Sequence, residues 1–205
     1  MRKKLRFYRQ HTDFTCGPAC ILMLLDYYEK ILYPTEGLEK SIYDAYKSER
    51  YGSVDGAAIA RHLAKNRLMT TIYHSSEKGM DNKNGYFNEE IYENLLSTYY
   101  MHLEKSKGEV STVHTETINC DFLRSLLEQK YQIVLECFVD GNVDGVHEKV
   151  LHWILIYGYE NGEFLVANPS STKKSRYCDE EMEEYMNTPI GKMVVAVKEP
   201  GGSNT

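Results

Sequence analysis

The sequence predicts an α+β fold, with N-terminal helices packed on a C-terminal antiparallel sheet. Two observations carry this. Apolar residues recur at helical spacing from Gly17 to about Lys130, and from Gln132 onward they give way to β-branched and aromatic runs separated by turn residues. In addition, no internal repeat, low-complexity tract or Pro/Gly-rich linker divides the 205 residues, so residues 1–205 are expected to form a single domain.

In chain order, residues 17–30 read as a helix whose broad apolar face includes Ala19, Leu22, Met23 and Leu25, with a stop at Tyr33-Pro34. A second helix is expected over 38–47. A third is expected over 54–66, with Ala57, Ile59, Ala60 and Leu63 turned inward. SSEKGMDNKNGY (75–86) is polar and turn-rich and reads as a loop. Helices are expected again over 88–105, on Ile91, Leu95, Tyr99 and Leu103, and over 120–130. The strands are QIVLECFV (132–139), VLHWILIYGY (150–159), EFLVAN (163–168) and KMVVAVK (192–198). The second and third of these form a hairpin across Glu160-Asn161-Gly162.

Composition narrows the function. A content of 42% hydrophobic and 26% charged residues is that of a globular domain, and a net charge of −6 weighs against nucleic acid as a partner. The basic start MRKKLRFYR reads as a solvated chain end. No apolar run is long enough for a membrane span and no signal-peptide core follows the basic start, so a cytoplasmic protein without a membrane partner is expected. Cys16, Cys20, Cys120, Cys137 and Cys178 are odd in number and scattered, which reads as reduced thiols.

Cys16 opens the first helix, where unpaired N–H groups and the positive end of the helix dipole favour a thiolate nucleophile. Gly17 is expected to let the backbone turn beneath the sulfur, and Pro18 suits a first turn that needs no N–H. Cys20, one turn on, reads as packing. His152 is the one polar residue in an apolar strand, a position that demands a partner and suits a base. Asn168 follows sixteen residues later at the end of the adjoining strand, kept extended by Pro169, where its amide oxygen can orient the imidazole. Gln10, before the HTDFT turn, can supply an oxyanion-hole donor beside the backbone N–H of Cys16.

QHTDFTCGPA, the late HW strand and the NP turn resemble the papain-like cysteine enzymes, in particular the double-glycine leader peptidase-like branch. The resemblance implies a papain-like catalytic domain with Cys16 as nucleophile, His152 as base and acid, Asn168 as orienter and Gln10 in the oxyanion hole. That branch usually carries Asp where Asn168 stands, whereas papain uses Asn. Residues 67–118 match nothing in the family and are read as an insertion forming one wall of the cleft.

Zinc chemistry fits poorly, because His147 and His152 of HEKVLH lie in a strand pattern without HExxH spacing. His147 is a rival base on an exposed loop. No metal, cofactor, phosphate loop or dinucleotide fingerprint is called for. A thioester on Cys16 leads to hydrolysis if water attacks it and to an amide if an amine does. The sequence reading favours transfer of an acyl group, from a carrier-protein-bound thioester or a peptide, to an amine in natural-product biosynthesis. It rests on a short stand-alone chain and on a resemblance to the amide synthetase of closthioamide assembly. Peptide cleavage, of leader or other peptides, is the alternative.

Overall fold

The computed structural model describes residues 4–49, 51–143, 146–171 and 173–201, with the backbone alone for 84, 141–143 and 146–148. Its first helix, α1 (Cys16–Tyr27), is buried along nearly its whole length. No side chain caps its start at Thr15. Burial holds it instead: Ile21, Leu22, Met23 and Leu24 are fully buried, each worth about 1.5–3 kcal/mol against about 1 kcal/mol for a cap.

The other N-terminal helices are amphipathic and capped. Thr35 caps α2 (Glu36–Tyr46), Asp55 caps α3 (Gly56–Lys65) and Asn88 caps α4 (Glu89–Lys105), each through a side-chain oxygen that accepts a first-turn N–H. Asn119 does the same for α5 (Cys120–Glu128), and α6 (Asp179–Met186) follows late in the chain.

The sheet has seven strands: β1 (Met69–His74), β2 (Val110–His114), β3 (Gln132–Val143), β4 (Val146–Glu160), β5 (Glu163–Ala167), β6 (Ser175–Tyr177) and β7 (Met193–Lys198). Their order is β2-β1-β7-β3-β4-β5-β6, antiparallel except for the β1–β2 pair. Side chains alternate across it. Val134, Trp153, Leu155 and Val195 join α1, α3 and α4 in one core, while Leu135, Ile154, Ile156 and Val194 meet α5 and α6 in another.

The α+β class and the helices-on-sheet arrangement are as the sequence predicts, but the sheet is wider. The middle of the chain contributes β1 and β2 to its edge. MTTIYH is a short alternation between two helices, and VSTVH exposes most of its residues, so neither announces a strand. In DEEMEEYM only Met182 and Met186 are buried, too few apolar positions to signal α6. The first helix begins at Cys16 itself, which makes Pro18 the third helical residue, still in the turn whose N–H groups lack partners. Gly17 therefore makes no turn. It gives room: a Cβ there would stand 3.3 Å from Ile59 and 3.4 Å from Trp153.

Candidate active site

Trp153 organises the site through its backbone. It lies opposite Glu136 of β3, and β5 pairs with β4 only from Leu155 onward, so the outer edge of β4 is open at residue 153. α1 fills that edge. The Trp153 backbone lies close enough to the Cys16 sulfur to draw its pKa down, and the Cys20 thiol, one helical turn on, donates to the Trp153 carbonyl at 3.6 Å. The indole N–H bonds the Val54 carbonyl at 2.9 Å, tying the approach to α3 to the same residue. Cys20 thus has a packing role and is fully buried.

Next along β4, His152 is 5% exposed and its Nε2 lies 2.8 Å from Asn168 Oδ1. The tautomer follows from the neighbours. The backbone N–H of Ser170, which can only donate, meets the same Asn168 atom at 3.0 Å, and Ser170 Oγ meets it at 2.8 Å. That atom is the oxygen, Nε2 carries the proton, and Nδ1 keeps the lone pair that can take a proton from a thiol. Among the described residues no hydrogen bond joins the imidazole to the Cys16 sulfur, although both line one cleft of about 550 Å³. The side chain of His147 lies outside the described residues.

Gln10 reaches the same cleft. Its backbone N–H donates to Pro169 O at 3.0 Å, which ties it to the turn carrying Asn168. Its Nε2 donates to Thr12 O at 2.8 Å, leaving one N–H of the amide for another acceptor, while its buried Oε1 has no partner. Below, Glu39 accepts from the His11 backbone at 2.9 Å and from Tyr8 Oη at 2.7 Å, anchoring this turn to α2.

Burial sets the electrostatics. It pushes the Cys16 thiol up to about 11 against the pull of hydrogen bonds from Trp153, Gly17 and its own backbone, so the helix start does not by itself produce a thiolate. Burial also holds His152 below the usual histidine range, opposed by its bond to Asn168. The resting pair is therefore a thiol and a neutral imidazole.

Two carboxyls missed in the sequence share the cleft. Burial, then the nearby Asp55 and Cys16, push Glu136 up to about 8, and burial pushes Asp55 up to about 7. Glu136 was visible as the one charged residue in QIVLECFV. Asp55 carried no signal beyond that of a helix cap. Met80, Tyr86, Phe87 and Leu95, all within 67–118, line the cleft as well.

The sequence matches the Peptidase_C39 like family over residues 2–188. The chain belongs to that family. Membership makes it a cysteine-type enzyme of the papain-like fold. No curated protein matches the chain. Among solved structures, the peptidase domain of Streptococcus ComA, a bifunctional ABC transporter involved in quorum sensing, superimposes with a TM-score of 0.55 at 12% identity, covering 96% of this chain and 100% of that one. At that identity the likeness speaks for the fold alone. A chain described as a C39-like peptidase from Bacillus anthracis matches with a TM-score of 0.47 at 11% identity, covering 97% of this C39-like chain and 96% of its own. Among the described residues no helix is long and apolar enough to cross a membrane.

Proposed function

We propose that this C39-like protein is a cysteine peptidase that works through a thioester on Cys16, with residues 1–205 as one catalytic unit. The observation that carries the reading is the His152–Asn168 hydrogen bond, which leaves Nδ1 free to accept a proton in the cleft that holds Cys16. His152 takes the thiol proton as sulfur attacks the scissile carbonyl. The oxyanion is held by the Cys16 backbone N–H and the uncommitted Gln10 N–H. His152 then returns the proton to the leaving amine, and water attacks the thioester with His152 again as base, which frees the acid and restores the thiol. Asn168 fixes the ring throughout, and residues 80–95 form a wall of the substrate cleft.

Amide synthesis of the closthioamide type runs on the same thioester. Family membership supports hydrolysis over the transfer that the sequence alone favours. The test is incubation of wild type and Cys16→Ala with a peptide panel that includes double-glycine sequences, with and without added amines, and mass analysis of the products. Free-acid fragments that require Cys16 are expected. Amide products outpacing free acid would replace hydrolysis with transfer.

A further inference from the structure

Glu136 is 8% exposed, its Oε2 has no hydrogen-bond partner, and it opens on the cleft. Asp55, 7% exposed, lies close enough for the two carboxyls to repel one another. The hydroxyl of Tyr99, buried and also without a partner, is near both. Among the described residues no Lys, Arg or His pairs with either acid, and the cleft lining includes Asp13 and Asp140 but no Lys or Arg. A partnerless carboxyl beside a second one is costly to ionise while the cleft is empty, and a cation brought from outside would supply the counter-charge that lets it release its proton. The approach suits an aliphatic or planar cation, since Met80, Leu95 and the Tyr86–Phe87 ring pair, 4.8 Å apart, line the same space.

We propose that Glu136, backed by Asp55, seats an alkylammonium or guanidinium group of the substrate beside Cys16. This rests on Cys16 as nucleophile and gives the peptidase reading a substrate class: peptides with a basic residue near the scissile bond. Glu136 pairs with Trp153 across the β3–β4 ladder, and Glu136 and Cys16 line one cleft close enough to influence each other's charge, so the seat neighbours the reacting atom.

The test uses peptidyl acyloxymethyl ketones that carry either Lys or norleucine, its uncharged counterpart, at each position near the ketone. The readout is the rate of mass increase on Cys16. At one position the lysyl probe is expected to react about 10- to 100-fold faster, the worth of a charge-assisted contact, and in Glu136→Gln that ratio should fall toward one. Near-ultraviolet circular dichroism verifies that the variant is folded, and Glu136→Met replaces it if it is not.

A cation carried by a separate amine gives a different pattern, which keeps the seat at Glu136 and overturns the peptide substrate class. Lysyl and norleucyl probes would then react alike, while agmatine would protect Cys16 saturably in wild type and not in Glu136→Gln. Equal rates without protection, or a lysyl preference that survives the substitution, overturn the proposal. No mass increase on Cys16 with any probe overturns the nucleophile reading and the seat with it, a result distinct from labelling without preference.

Discussion

Replacing Asn168 tests how the site activates its thiol. His152 is 5% exposed and its Nε2–H has Asn168 Oδ1 as partner. Asn168→Ala leaves that donor buried and unsatisfied, a cost of about 1–3 kcal/mol, and releases the ring from its tautomer. Alkylation of Cys16 by iodoacetamide near neutral pH should slow by roughly 5- to 100-fold. Asn168→Asp acts in the opposite direction. The Ser170 N–H and Oγ already donate to the oxygen at 3.0 and 2.8 Å, so they would satisfy a carboxylate, and an anion there raises His152 by roughly 1–3 pH units. Because the resting pair is neutral, with Cys16 held up to about 11 and His152 held down, stabilising the imidazolium favours transfer of the thiol proton to the ring. Asn168→Asp should therefore be alkylated at least about tenfold faster than wild type. The assay follows the Cys16 peptide by mass spectrometry as pH is varied. An Asn168→Asp enzyme slower than wild type at every pH, or an Asn168→Ala enzyme indistinguishable from it, would refute the reasoning.

Three further outcomes are expected. Cys16→Ala should abolish turnover, while Cys20→Ala, which removes a fully buried thiol bonded to the Trp153 carbonyl, should retain it; a peptide-cleavage assay separates the two. Gln10→Ala should lower kcat by about 10²- to 10³-fold, as for the loss of one oxyanion donor, with a smaller effect on KM in steady-state kinetics. Folding stability should fall as pH rises through about 7 and 8, because folded Asp55 and Glu136 keep protons that the unfolded chain has already released. The slope is about 1 kcal/mol per pH unit for each protonated carboxyl, so urea titrations of Glu136→Gln should show roughly half of it. Below about 6.5 the sign is opposite for His62 and His102, which burial holds down to about 4: the unfolded chain gains protons that the folded chain refuses, which offsets the carboxyl slope, so stability should level off toward acid.

Local rules explain what was legible in the sequence. Helices over 38–47, 54–66 and 88–105 were read to within two residues because capped, amphipathic segments declare themselves by period and cap. The hairpin that brings Asn168 back beside His152 was readable from two apolar runs and the turn Glu160-Asn161-Gly162. Less legible were the segments that depend on neighbours. β1 and β2 are strands because β7 offers an edge for β1 to pair with, and no side-chain pattern in VSTVH carries that information.

What the sequence by itself determined is the chemistry available: a thiol at a helix start, an imidazole isolated in an apolar strand, an amide sixteen residues after it and another six residues before the thiol. What only the tertiary structure decided is the state and setting of those groups. The helix start predicts a thiolate, yet burial of Cys16 beneath the cleft outweighs the dipole and leaves a thiol with a raised pKa. The open edge of β4 at Trp153 receives the start of α1 through the Cys20 thiol, and the sequence is silent on it because β5 ends two residues too soon only once the strands are paired. Glu136 and Asp55 lie 81 positions apart and line one cleft. Desolvation and Coulomb repulsion depend on distance in space rather than along the chain, so the acid pair in the cleft exists only in the folded protein.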